Sequence, residues 1–148
     1  MQKIFVVLIT VLFQFNFCKA PSNQKLTTIT ISKIEMNLSA FGVESDRFPD
    51  IHGYVNFIND SASFIKSYYN PGFKGSTYTL SHEEIEKIKV LFQNVDLYQL
   101  KSEYAPNLSD QPTSTITIYT KEKSFIIKDS GLIGDYPLQD LYKLAYKF

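Results

Sequence analysis

A chain of 148 residues is long enough for one domain with its own hydrophobic core. Its 15 basic and 15 acidic residues give a formal net charge of zero, and the absence of a dense basic run excludes the positively charged surface that nucleic-acid binding requires. Because Cys18 is the only cysteine, the domain has no internal disulfide and depends for its stability on buried apolar side chains.

The first twenty residues have the three parts of a secretory signal peptide. Lys3 provides a positive start, residues 4–13 form an uncharged apolar run, and a polar zone follows. The run is shorter than the roughly 20 apolar residues that a membrane-spanning helix needs. We therefore expect residues 1–20 to be removed on export. The mature protein is then expected to be periplasmic, surface-located or secreted, without a transmembrane segment.

The fate of Cys18 depends on where the signal is cut. Residues 18–20 fit the small-x-small pattern before a cleavage site, although Pro21 would then be the first mature residue. Lipidation of Cys18 is an alternative, but Asn16 and Phe17 are not the small residues that precede a lipidated cysteine. Two further interpretations keep the segment in the mature protein, either as a membrane anchor or as a buried strand or helix.

Alternation of apolar and polar residues predicts the first strands. The phase of this alternation changes at Ser32 and Lys33 within residues 26–41, which predicts a long strand with a bulge or bend. A polar loop follows, and then residues 54–58 and 61–69 predict a β-hairpin around an Asn-Asp turn. The Gly- and Pro-containing residues 70–76 predict the end of its second strand.

The apolar residues in the next part of the chain have the spacing of a helix. Ser81 and Glu84 form a capping-box pattern, and a helix over residues 82–94 is predicted by apolar residues at Ile85, Ile88, Leu91, Phe92 and Val95. Residues 101–112 form an irregular segment that contains two prolines.

A second hairpin and a second helix complete the pattern. The hairpin is predicted at residues 113–120 and 123–129, with its turn at Lys121 and Glu122. The terminal helix is expected to have Pro137 in its first turn and one apolar stripe of Leu138, Leu141, Leu144, Ala145 and Phe148. These elements predict a single α+β domain over residues 21–148, with an antiparallel sheet of about five strands packed by two helices.

From about residue 80 to 148 the chain resembles a family of short bacterial cell-envelope proteins known only as a domain of unknown function. The resemblance rests on the Ser/Glu-capped helix, the stretch YQLKSEY with its aromatic-Leu-Lys-x-x-Tyr character, the Asp-x-Pro-Thr turn at residues 110–113 and the final Pro-x-x-x-Leu helix. It implies an envelope location and an α+β architecture, but no activity. Relatives usually carry a Cys-x-Gly-x-Cys-Pro segment after the first strand, whereas this chain keeps Gly42 and Pro49 without the cysteines.

The two histidines do not form a recognisable catalytic or metal motif. His82 lacks the second histidine four residues later that a zinc-protease helix needs, and the acids that follow it suit the first turn of a helix. His52 lies near Asp50, with Ser45 and Ser61 as hydroxyl candidates, but no Gly-x-Ser-x-Gly turn is present. We expect no metal and no cofactor.

Aromatic residues in interrupted segments are the candidate binding residues, because tyrosine is a frequent anchor of protein interfaces. They are Tyr68, Tyr69, Phe73, Tyr78 and Tyr104, which we expect to form one recognition surface from residues 68–78 and 101–112. The alternative is that they pack in the core or coat the sheet. The sequence thus favours a non-catalytic exported domain that binds another envelope protein or a surface component. A small extracytoplasmic hydrolase with a site around His52 is the alternative function.

Overall fold

The structure, a computed structural model, describes residues 30–40, 43 and 46–147. The predicted signal peptide and Cys18 lie outside the described residues. Within the described part of the chain, no helix is long and apolar enough to cross a membrane.

The described chain forms seven strands and two helices. In chain order they are β1 (Ile31–Ser39), β2 (Asp50–Asn56), β3 (Ser61–Ser67), β4 (Ser76–Tyr78), α1 (His82–Phe92), β5 (Glu103–Tyr104), β6 (Thr113–Thr120), β7 (Ser124–Ser130) and α2 (Leu138–Tyr146). All strands belong to one sheet with the order β4-β3-β2-β1-β6-β7-β5. The predicted α+β class is correct, but most of the regular structure is sheet.

The prediction of about five strands in a purely antiparallel sheet is wrong at both edges. At one edge β4 adds three residues antiparallel to β3, and at the other β5 adds two residues parallel to β7. Strands of two or three residues are too short to show a period of two. The two predicted hairpins are present, since β2 and β3 pair antiparallel, as do β6 and β7. However, β2 begins at Asp50, inside the predicted loop, and β3 ends at Ser67, before the predicted end at residue 69. The predicted irregularity in β1 is also confirmed, as a register shift between Ile31 and Lys33 against β6.

Both helices form where the sequence predicts them, with differences at their ends and in the buried stripe of α2. The capping box of α1 is confirmed, with Ser81 Oγ accepting from the Glu84 N–H and the Glu84 side chain accepting from the Ser81 N–H, but the helix ends at Phe92 instead of residue 94. In α2 the residue Pro137 is the N-cap and follows a cis peptide bond. Its buried stripe is Leu138, Leu141, Tyr142, Ala145 and Tyr146.

One face of the sheet packs against the helices and the other does not. Alternate strand residues such as Ile34, Phe64 and Ile116 join residues of both helices in a single core cluster. We call the opposite face the open face, because no element of the described chain covers it. Glu35, Tyr54 and Ile126 point to the open face, as their alternation with buried neighbours requires.

Candidate functional site

Four connections lie at the same end of the sheet. The pairs Leu38 with Ile51, Asp50 with Ser67 and Ser39 with Thr113 place the end of β1, the start of β2, the end of β3 and the start of β6 together. The connections at this end are therefore β1–β2, β3–β4, β5–β6 and β7–α2. Loops held at one end of a rigid sheet are a common place for binding residues.

The β3–β4 connection, residues 68–75, presents aromatic side chains on a hydrogen-bonded turn, and we call it the aromatic loop. Tyr69 is 91% exposed and Phe73 is 37% exposed. The rings of Tyr68 and Phe73 contact each other with centroids 5.6 Å apart. Three of the predicted candidate residues are thus brought together in one accessible segment.

Asn70 fixes the shape of the aromatic loop. Its side-chain Oδ1 accepts from the Gly72 N–H at 2.8 Å, and its backbone oxygen accepts from the Phe73 N–H at 3.1 Å. Its Nδ2 donates to Asp46 Oδ2 at 3.1 Å, which joins the loop to the neighbouring β1–β2 connection. These bonds of Asn70 fix the backbone of the loop, and the Tyr69 side chain remains exposed on it.

Tyr78, the fourth candidate, has a structural position. Its ring stacks on Phe64 at 5.3 Å, and its hydroxyl donates to the backbone oxygen of Ala145 at 2.9 Å. Burial raises the pKa of Tyr78 to about 12. These contacts connect the edge strand β4 to the end of α2, so Tyr78 is not available as an anchor for a partner.

Tyr104, the fifth candidate, is also structural, because it is only 7% exposed and its hydroxyl accepts from the Lys101 N–H at 3.3 Å. Tyr104 belongs to β5 at one edge of the sheet, whereas the aromatic loop leads into β4 at the other edge. Residues 68–78 and 101–112 therefore do not form the single recognition surface that the sequence suggested. The exposed apolar side chain of the β5–β6 connection is instead Leu108, which is 70% exposed.

The structure does not assemble a catalytic set around His52. Asp50 Oδ1 accepts a backbone N–H at 2.7 Å, and Ser61 Oγ donates to Asn59 Oδ1 at 2.7 Å. Within the described residues no hydrogen bond joins His52 to an acid or a hydroxyl, and Ser45 lies outside them.

His82 also has a local partner. Its Nδ1 is hydrogen-bonded to Asp60 Oδ2, which connects the start of α1 to the β2–β3 turn. In the part of the chain that the structure describes, no three His, Cys, Asp or Glu side chains are grouped closely enough to hold a metal ion.

A charged and aromatic cluster that the sequence pattern did not predict lies on the three central strands of the open face. Lys33 Nζ lies 2.5 Å from Glu35 Oε1, and Glu35 Oε2 accepts from the Tyr119 hydroxyl at 2.6 Å. The same ammonium group lies 5.3 Å from the ring centroid of Tyr54 and 5.8 Å from that of Tyr119. The available signal was the two-residue spacing of Lys33 and Glu35, which puts both side chains on one face.

These contacts change the ionisation of the cluster in a consistent direction. The hydrogen bond from Lys33, and then that from Tyr119, lower the pKa of the Glu35 carboxyl. The bond to Glu35 raises the pKa of Lys33 and also that of Tyr119. Near neutral pH Lys33 is therefore an ammonium, Glu35 a carboxylate and Tyr119 a neutral phenol.

A second missed group is buried between α2 and the sheet. Asp129 accepts from the N–H groups of Ile133 and Gly134 at 2.9 and 2.8 Å and from the Tyr142 hydroxyl at 2.7 Å. Ser114 Oγ and Tyr146 Oη lie 2.6 Å apart in the same region. Burial, followed by the bond to Asp129, raises the pKa of Tyr142. With Asp129 and Ser114 fully buried, this network holds the fold together and is closed to a ligand.

The fold and these surfaces define an α+β domain with one packed and one open sheet face. Residues 53–148, well over half of the chain, match a family described as a domain of unknown function, DUF6438. The chain belongs to this family. No curated protein and no solved structure matches it.

Proposed function

We propose that this protein is a non-catalytic, exported binding domain whose recognition element is the aromatic loop. The observation that carries this proposal is Tyr69, which is 91% exposed on a turn that the hydrogen bonds of Asn70 hold in place. A large, mostly apolar side chain held in water gains free energy when a partner covers it. A loop that is already ordered loses little conformational entropy on binding.

The N-terminal segment supports the proposed location. A charged start, an apolar run and a polar exit are typical of an export signal, and the resemblance to cell-envelope proteins agrees with it. We therefore propose that the domain works in the periplasm, at the cell surface or outside the cell. Its partner is another envelope protein or a surface component.

The hydrolase alternative has no support from the site around His52. A general base needs hydrogen-bond reach to the group that it activates, and the described residues offer His52 neither an acid nor a hydroxyl at that distance. The two candidate partners that the structure describes, Asp50 and Ser61, are engaged in other local hydrogen bonds, and Ser61 pairs with Asn56 at the far end of β2.

Affinity capture from the native envelope, with the mature protein as bait, tests the binding function. We expect Tyr69→Ala to weaken capture of a partner at least tenfold, since interface tyrosines can contribute about 2 kcal/mol or more. The thermal melt should not change, because Tyr69 packs against little of the domain.

Ile58→Ala is the matched control, because Ile58 is 81% exposed but lies in the β2–β3 turn at the other end of the sheet. It should capture partners as strongly as the parent. Equal capture by Tyr69→Ala would show that the recognition element lies elsewhere. Turnover of ester, peptide or glycoside substrates that is lost in His52→Ala would refute the non-catalytic function.

A further inference from the structure

The cluster on the open face has the components of a binding site for an organic ammonium ion. Two tyrosine rings, Tyr54 and Tyr119, lie within 6 Å of one cation, and the Glu35 carboxylate is in direct contact with it. Aromatic faces attract cations through the negative charge of their π systems, and a carboxylate adds a Coulomb attraction. The cation in this case is Lys33 of the same chain.

The strand pairing makes the arrangement rigid. Tyr119 lies directly opposite Lys33 on β6, and Tyr54 lies directly opposite Glu35 on β2. The four side chains therefore come from three central, fully paired strands of the sheet. Such a site is formed before a ligand arrives, which lowers the entropic cost of binding.

The site is accessible from solvent. Tyr54 is 36% exposed, and the side chains of Lys33 and Glu35 are 35% and 39% exposed. A ligand can thus reach the rings and the carboxylate once the lysine side chain moves aside. Displacing Lys33 breaks its contacts with Glu35 and the two rings, and the freed ammonium on its flexible stem is then hydrated by water.

We propose that Glu35, Tyr54 and Tyr119 form a binding site for an organic ammonium group, preferably a quaternary one, which Lys33 fills in the free domain. A quaternary ammonium carries the same charge as Lys33 but no N–H groups that water must solvate, so it favours aromatic faces more than a primary ammonium does. Lys33 competes with the ligand as a tethered group of high effective concentration. This site is separate from the aromatic loop and does not depend on its function.

Titration with tetramethylammonium chloride, followed by the NMR signals of the Tyr54 and Tyr119 rings, tests this site. Potassium chloride at the same concentrations corrects for ionic strength. We expect Lys33→Met to bind the probe at least tenfold more tightly than the parent, because the competing ammonium is gone. Adding Tyr54→Leu to this variant should reduce that affinity at least tenfold.

Lys123→Met is the matched control, since Lys123 makes similar contacts with Tyr98 of the α1–β5 connection and Phe125 of β7. It should leave the response of Tyr54 and Tyr119 unchanged. Phosphocholine and trimethyl-lysine amide, titrated separately, distinguish a lipid head group from a protein side chain as the source, and a response to either supports the proposal. If Lys33→Met responds no more than the potassium control, or binds no more tightly than the parent, the proposal is overturned.

Discussion

Asp129 shows how one side chain can hold a loop and a helix on a sheet. This buried carboxylate has three donors, two from the backbone after β7 and one from Tyr142 on α2. Gly134 is required beside it, because an added Cβ would lie 2.6 Å from Asp129 Oδ2. Several hydrogen bonds from protein donors stabilise a buried carboxyl group even where no cationic side chain is paired with it.

We expect Asp129→Ala to lower the free energy of unfolding by on the order of 3 kcal/mol, since each buried donor left without an acceptor costs about 1–3 kcal/mol. Urea denaturation measures this loss. Asp135→Ala, a change at an exposed acid of the same connection, should alter the stability by less than about 0.5 kcal/mol. Similar denaturation midpoints for the two variants would mean that the Asp129 network does not stabilise the fold.

Single residues were the hardest features to predict. Tyr69 and Tyr104 both lie in segments containing Gly or Pro, yet one is almost fully exposed and the other is buried. Their difference arises from the β5–β7 pairing, a parallel contact between segments distant in sequence. For the same reason the sequence did not indicate that Asp129 would be a buried residue.

At the scale of elements, α1 is the best test of the packed face. Ile88→Asp would place an unpaired charge in the core between α1 and the sheet, where Ile88 is fully buried. We expect a loss of several kcal/mol, which is comparable with the total stability of a domain of this size. Urea denaturation of the variant, followed by circular dichroism, measures this loss.

Val90→Asp is the matched control, because Val90 is on the same helix but 57% exposed. It should cost less than about 1 kcal/mol, the size of an unfavourable charge near a helix C-terminus. If Ile88→Asp melts as the parent does, then α1 does not pack on the sheet in the way described.

Elements with strong local signals were predictable, and those without them were not. The capping box and five apolar positions located α1, and alternation located β1, β2, β3, β6 and β7. Of the stripe predicted for α2, Leu138, Leu141 and Ala145 are buried, Leu144 is partly buried and Phe148 lies outside the described residues. The predicted stripe lacked Tyr142 and Tyr146, which are buried and whose hydroxyls reach Asp129 and Ser114. A periodic pattern of apolar residues does not identify tyrosines that are buried because their hydroxyls have hydrogen-bond partners in the core.

At the scale of the whole molecule, the testable feature is the N-terminal boundary of the mature protein. We expect export to remove residues up to about residue 20, which would leave β1 intact because that strand begins at Ile31. N-terminal sequencing of the exported protein measures the boundary. A mature chain that still starts at Met1 would contradict this prediction, whereas a diacylglycerol on Cys18 would contradict only a soluble form.

The position of β1 also has a consequence for the order in which the domain can fold. Among the described strands β1 comes first along the chain, yet it lies in the middle of the sheet, and its neighbour β6 begins only at Thr113. The bond between Glu35 and Tyr119, for example, closes a separation of 84 residues. Contacts of such long range must overcome loop-closure entropy and slow the folding of β-rich domains. In a chain that crosses a membrane starting from its N-terminus, β1 would therefore lack its neighbour β6 until most of the sequence had passed.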